Sequence, residues 1–144
     1  MANVFDVAEY ILQKKKQVSA MKLQKLCYYS QAWHATWEEK PLFDECIEAW
    51  ANGPVIPDLY NKHRGKFLIN IGDIEDGNPE NLTAAERDSV DRVLAYYGDK
   101  DSQWLSDLTH AEDPWSNARI GIPSGERSNK EITLDLIVEY YGSL

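Results

Sequence analysis

A long segment with helical periodicity, residues 19–37, constrains the fold of this chain more than any other feature. Its inward-facing positions recur every three or four residues and are Leu23, Leu26, Cys27, Ser30, Trp33, His34 and Trp37. Tyr28 and Tyr29 widen this stripe into a broad apolar arc. A helix with so wide an apolar surface is covered on several sides by other elements. We therefore expect the segment to form the central helix of the fold, capped at its start by Ser19.

Helix start signals account for much of the remaining chain. A Ser, Thr or Asn followed three residues later by an acidic residue predicts a capping interaction at a helix start. Such pairs are Asn3–Asp6, Thr83–Glu86 and Ser128–Glu131, and Asp101 and Asp113–Pro114 indicate two further starts. With 43% hydrophobic residues, the 144-residue chain can bury a core. We therefore expect one mainly α domain of the α+β class over residues 1–144.

One segment has the alternation of a strand instead. Residues 47–52 alternate between inward and outward side chains, which predicts a short half-buried strand that ends at Gly53–Pro54. Leu42–Phe43 precedes the strand, so we expect one small β-hairpin there. Trp50 and Tyr60 bracket the Gly53–Pro54 turn, and we expect both rings to pack inward on the central helix.

The charge of the chain is unevenly distributed. There are 15 basic and 24 acidic residues, a formal net charge of −9, and Asp73–Asp113 holds twelve acidic against three basic residues. Two interpretations stay open: a solvated, solubilising surface, or an acidic face for a basic partner protein. In either case the chain repels phosphate backbones, so we expect no specific DNA binding.

Targeting signals are missing from the sequence. No run approaches 18 apolar residues, so no transmembrane helix is predicted. The first residues lack the order of charge and apolar residues that a signal peptide has. Two isolated cysteines, Cys27 and Cys46, do not make a disulfide framework. We therefore expect a cytoplasmic protein with no membrane partner.

Motifs for catalysis, metals and cofactors are absent as well. Cys27 and Cys46 lack zinc-ligand spacing, and the sequence has no P-loop, dinucleotide fingerprint or nucleophile elbow. We therefore predict no catalytic residue, no metal ligand and no cofactor. Glu48, beside Trp50, is the one carboxylate that we would test as a general acid. A small hydrolase that uses Glu48 or a cysteine stays open as a third hypothesis.

Residues 108–119 combine the residue types that dominate protein interfaces. His110, Trp115 and Arg119 surround a tight helix–helix junction made by Asp113–Pro114. Arg119 follows Trp115 by four residues and can either stack on its indole or fork a carboxylate such as Glu112. The group is either a polar lock between two helices or an anchor for a partner protein.

Three stretches resemble a known family: MKLQKLCYYSQAW (Met21–Trp33), KPLFDECIEAWANGPVIPDLY (Lys40–Tyr60) and LTHAEDPWSNAR (Leu108–Arg119). They are similar to the SocA-like antitoxin domain, also called Panacea, whose members are often labelled phage-associated proteins. The resemblance runs in order from about residue 4 to residue 142. It implies a compact, mostly helical antitoxin that binds and neutralises a protein toxin encoded beside it. It brings no catalytic residues with it.

The resemblance sets the functional expectation. The first hypothesis is an antitoxin against a cognate toxin of the same operon, and the alternative is an adaptor that delivers a bound protein to a cytosolic protease. Interfaces place aromatic and Arg anchors centrally and charges at the rim. The β element around residues 43–52 is a second docking candidate, and a homodimer is left open. The predicted partner-binding residues are the anchors Trp104, Trp115 and Arg119 and the acidic rim Asp73, Glu75 and Asp76.

Overall fold

The protein is built mainly from helices, which confirms the predicted fold class. The computed structural model describes residues 2–144. In chain order the elements are α1 (Val4–Lys15), β1 (Gln17–Ser19), α2 (Ala20–Glu38), β2 (Ile47–Trp50), β3 (Gly53–Val55), α3 (Pro57–His63), β4 (Leu68–Asn70), a 3₁₀ turn (Pro79–Asn81), α4 (Ala84–Tyr97), α5 (Ser102–Ala111), α6 (Asp113–Ala118), β5 (Glu131–Ile132) and α7 (Leu134–Tyr141).

Helix α2 forms the centre of the structure, as predicted. Helices α1, α4, α5 and α7 all pack against it. Because neighbours cover α2 on several sides, even its polar residues Gln24, Lys25, Gln31 and His34 are buried. The end of the predicted stripe differs, since Trp37 is 41% exposed and lies under the Arg92 guanidinium. The last turn of α2 therefore leaves the core.

Most of the predicted capping interactions are present at the starts of the helices. Both predicted capping boxes at α1 and α4 are present, with Asn3–Asp6 and Thr83–Glu86 bonded reciprocally. Ser19 caps α2 by accepting a hydrogen bond from the Lys22 backbone N–H. The predicted box Ser128–Glu131 is wrong, because Glu131 belongs to β5 and α7 begins later. Its cap is Thr133, which accepts from the backbone N–H of Leu136.

The strands form two small antiparallel sheets where one hairpin was predicted. Strand β1 pairs with β4, and β2 lies between β3 and β5. The predicted hairpin has a different partner: β2 turns back onto β3, with Trp50 opposite Gly53. Gly53 therefore begins a strand and does not terminate one, and its φ of +125° suits glycine. Leu42 and Phe43 are buried in the core and lie outside the strands.

Candidate functional site

An open cleft of about 930 Å³ lies on one side of the structure. It lies between the start of α2, the β2–β3 turn, α3 and residues 127–129. One wall is aromatic, because the rings of Trp50 and Tyr60 meet edge to face with centroids 4.9 Å apart. The sequence predicted that both rings pack inward on α2, whereas both are half-buried and line the cleft. A concave, largely apolar surface of this size is typical of a binding site.

Buried polar side chains of α2 hold the wall of the cleft in place. The Gln24 amide oxygen accepts from the Ile56 backbone N–H at 2.8 Å, and its nitrogen lies 2.9 Å from His63 Nε2. Burial lowers the pKa of His63 below its ordinary value. A neutral imidazole can accept from the amide, so Gln24 ties the end of β3 and the end of α3 to the central helix.

Lys25 is a buried lysine that faces the same cleft. Its side chain is 2% exposed, and Nζ donates to the Pro54 carbonyl oxygen at 3.2 Å. Burial lowers the pKa of Lys25 to about 8. The lysine stem leaves no room on the neighbouring strand, because a Cβ at Gly53 would lie 2.7 Å from Lys25 Cε. The φ of Gly53 favours glycine, and any larger residue there would also displace the end of the Lys25 side chain.

The outer part of the cleft is basic and apolar. Arg64, Lys66 and Arg127 are exposed along its edge. The acidic residue on the lining, Glu48, accepts a hydrogen bond from Trp50 Nε1 at 2.8 Å. Phe67 is 76% exposed at the same edge. In a chain of net charge −9, the cleft is therefore a locally basic surface beside exposed apolar area.

The predicted anchors Trp115 and Arg119 lie together, and both contact β2. The Arg119 guanidinium stacks over the Trp115 indole at 5.2 Å, which confirms the stacking prediction. Arg119 is 5% exposed and donates to the carbonyl oxygens of Ala49 and Glu126 at 2.9 and 2.5 Å. Trp115 Nε1 donates to the Trp50 carbonyl oxygen at 2.8 Å. The pair thus connects α6 to β2 and to the loop that follows α6, and we call this contact the α6 lock. Through Trp115 it also supports Trp50, whose ring forms a wall of the cleft.

Glu112 has a different role from the one expected. It was the candidate carboxylate for Arg119, but its Oε1 accepts from the hydroxyls of Tyr29 and Tyr141 at 2.7 and 2.8 Å. Burial raises the pKa of this carboxyl, and the two hydroxyl donors oppose that shift. The contact joins α2, α7 and the α5–α6 junction inside the core. Nothing in the local sequence pattern indicated these distant partners.

The predicted acidic rim lies on a loop that α1 holds firmly. Glu75 and Asp76 are exposed and Asp73 is half-buried. Asp73 accepts from the Asn70 backbone N–H at 2.8 Å, and Asp76 pairs with Lys62 of α3. The rim is therefore presented on an ordered surface, on the side of α3 that carries Lys62.

The third predicted anchor, Trp104, lies on α5 apart from the other two. It is 39% exposed, and Lys100 Nζ lies 5.0 Å from its ring centroid. In the described part of the chain, no aromatic or cation–π contact joins Trp104 to Trp115 or Arg119. The six predicted residues therefore occupy three places: the α6 lock, the first turn of α5 and the loop after β4.

Residues 2–144 contain neither a metal-type cluster of side chains nor a membrane-spanning helix. Within that range, no three His, Cys, Asp or Glu side chains are grouped as a metal site requires. His34 on α2 lies 2.8 Å from the Ser89 hydroxyl through Nδ1. None of the helices in the same range is long and apolar enough to cross a bilayer.

The sequence of this chain matches the model of one known protein family. The family model described as antitoxin SocA-like, Panacea domain, matches residues 23–116, more than half of the sequence. The chain belongs to the SocA-like Panacea family. The Panacea match runs from α2 into α6, a shorter range than the resemblance noted in the sequence. No curated protein and no solved structure matches.

The Panacea match contains most of the cleft, which the sequence had not revealed as a site. Its lining comes from chain segments far apart, around residues 20–25, 48–55, 60–67 and 127–129. No local signal marked Lys25, because it follows Leu23 by two residues and so lies on the opposite side of α2 from the predicted stripe. A lysine at such a position is rarely buried without a specific reason.

Proposed function

We propose that this Panacea protein is an antitoxin that neutralises a protein toxin of the same operon by direct protein–protein binding. The family membership carries this proposal. The role is non-catalytic and is exercised in the cytoplasm. Exposed large apolar side chains, among them Phe67 and Trp104, give the surface the composition of an interface.

Five of the six residues identified in the sequence are our proposed partner contacts, and the sixth, Arg119, is 5% exposed and supports Trp115. Trp104 is exposed enough to contact the toxin directly. Trp115 is half-buried, and the Arg119 guanidinium that stacks on its indole holds it in position. The acidic rim of Asp73, Glu75 and Asp76 attracts a basic surface of the toxin and speeds encounter.

Co-expression with the adjacent gene tests the proposal. The neighbouring reading frame is expressed from an inducible promoter, alone and together with this chain, and growth is scored. We expect arrest with the neighbour alone and growth with both, together with co-purification of the two proteins at a fixed ratio. Arrest that this chain does not relieve would contradict the antitoxin role.

The same cells separate binding from delivery to a protease. A neutralising binder leaves the half-life of the toxin unchanged or longer, because the bound toxin is protected. An adaptor shortens that half-life, and the shortening disappears when the cytosolic proteases are deleted. A pulse-chase of the epitope-tagged toxin in both strains therefore distinguishes the two mechanisms.

A further inference from the structure

We propose that the cleft is the centre of the toxin interface and that it receives an acidic segment of the toxin polypeptide. The inference rests on the proposed antitoxin function and adds to it the site and the chemistry of the partner. The cleft lies outside the set of residues first predicted to bind the partner.

Position is the first argument, because the cleft connects two of the three predicted docking places. On one side, Trp115 donates to the Trp50 carbonyl oxygen, and the Trp50 ring forms the cleft wall. On the other side, α3 contributes Tyr60 to that wall and Lys62 to the acidic loop through Asp76. A partner that touches both places spans the cleft between them.

Exposed apolar area favours a polypeptide over a small molecule. Phe67 is 76% exposed and Met21 is 41% exposed, and both line the cleft. Leu68 of β4 and Ile71, which directly follows that strand, are also exposed, at 46% and 47%. Exposed apolar side chains grouped along one segment mark protein interaction sites. A small ligand seated within the cleft would leave the β4 side uncovered.

The basic charge of the cleft favours an acidic segment of the toxin. Arg64, Lys66 and Arg127 lie at the edge with Lys25 at the base, while Glu48 is already bonded to Trp50. Surfaces that meet in a specific complex are complementary in potential, so an acidic segment fits this part of the chain. The guanidinium groups of Arg64 and Arg127 can each bind a carboxylate through two parallel hydrogen bonds.

Lys25 supplies the specific contact at the base. Its ammonium has three donors, and within residues 2–144 the Pro54 carbonyl oxygen is the one acceptor within hydrogen-bond distance. Burial without an adjacent anion holds its pKa at about 8. A carboxylate that entered the cleft would accept from the remaining donors and raise this pKa.

The test measures binding to the purified toxin from the co-expression experiment. Three variants change the cleft: Phe67→Ser, the double variant Lys66→Glu/Arg127→Glu, and Lys25→Met. Ile120→Ser is the control for Phe67→Ser, since Ile120 is 74% exposed. The double variant Lys40→Glu/Arg87→Glu is the control for charge, because both residues are exposed elsewhere. Circular dichroism verifies folding, and the two surface variants keep the test valid if Lys25→Met unfolds.

We expect Kd to rise about tenfold or more for each folded cleft variant, as for central interface residues. The two controls should stay within about twofold. Charge reversal at one toxin carboxylate should restore binding to Lys66→Glu/Arg127→Glu, which identifies the acidic partner.

Two failures are distinguishable. If wild-type chain neutralises the toxin and the cleft variants bind it as well as their controls do, the cleft assignment is wrong and the antitoxin function stands. If the wild-type chain does not neutralise, the function fails and the cleft assignment fails with it. A Phe67→Ser variant that loses self-association in sedimentation and keeps toxin affinity would instead assign this face to a homodimer, against the proposal.

Discussion

Single buried polar residues join separate helices of this protein through hydrogen bonds, and Glu112 is one example. Its carboxylate accepts hydrogen bonds from the hydroxyl groups of two tyrosines inside the core. We expect Glu112→Ala to lower the free energy of unfolding by about 2–4 kcal/mol, because two buried donors lose their acceptor. Glu112→Gln keeps an oxygen acceptor, so its free energy of unfolding should fall by less than half as much as that of Glu112→Ala. Urea denaturation of both variants gives the comparison, and equal stability of Glu112→Ala and wild type would contradict it.

Lys25 makes stability depend on pH in a defined direction. Its pKa is about 8 in the folded protein and 10.5 ordinarily. Between these values the unfolded chain binds the proton that the folded chain has released, so stability rises with pH. Relative to Lys25→Met, the wild-type free energy of unfolding should increase by up to about 1.4 kcal/mol per pH unit above pH 8. Urea titrations from pH 7 to pH 10 measure this difference, and a pH-independent difference would contradict a buried, titrating Lys25.

At the scale of elements, two acidic residues of α1 fix the loop that follows β4. Glu9 accepts from the backbone N–H groups of Gly72 and Ile74, and Asp6 accepts from that of Asn78. Both carboxylates are buried, and so is Ile74. The loop that carries the acidic rim is therefore packed onto α1 by directed contacts, whereas one of the two interpretations of its composition was a solvated surface.

Gly77 tests this packing directly. A Cβ at Gly77 would overlap the Phe5 carbonyl oxygen of α1, whereas a Cβ at Gly65 meets nothing. Gly65→Ala costs about 1 kcal/mol through its positive φ. Gly77→Ala should cost more, about 2–3 kcal/mol, because loop and helix must separate. Thermal unfolding of both variants gives the ranking, and a Gly77→Ala variant as stable as wild type would show that the loop can move off α1 freely.

Local chemistry explains which elements the sequence predicted well. The boxes Asn3–Asp6 and Thr83–Glu86 are formed within one turn, so their signals are complete in a few residues. Ser128–Glu131 has the same signature, but Glu131 pairs with Glu48 in the sheet. That pairing joins residues far apart in sequence, and no local pattern encodes it. The cleft was missed for the same reason, since four distant segments meet there.

At the scale of the whole molecule, net charge predicts behaviour toward nucleic acid. The chain carries −9, and its basic cleft edge offers three exposed cations, Arg64, Lys66 and Arg127. Three phosphate contacts give little affinity at physiological salt. We expect no shift of the promoter fragment of its operon at micromolar protein in about 150 mM salt. A salt-sensitive, sub-micromolar shift that Lys66→Glu/Arg127→Glu abolishes would reverse this conclusion and reassign the cleft edge to DNA.

The same charge distribution should set the rate at which the proposed toxin is captured. Asp73, Glu75 and Asp76 lie on a loop that Asp76 joins to α3, outside the cleft lining, so they can steer a basic toxin surface without forming the buried centre of the contact. We expect reversal of all three to Lys to slow association about tenfold at low salt. Dissociation should change less than about twofold, and the salt dependence of association should flatten.

A matched control removes the effect of net charge alone. Reversal of Glu38, Asp135 and Glu139, which are exposed on α2 and α7, gives the same total charge. If long-range steering from the loop governs capture, this control should associate faster than the loop variant in stopped-flow measurements at low salt. If both triple variants slow association equally, the overall charge steers the toxin and the loop has no special place in the encounter. Faster dissociation of the loop variant would move Asp73, Glu75 and Asp76 from the rim into the stable interface.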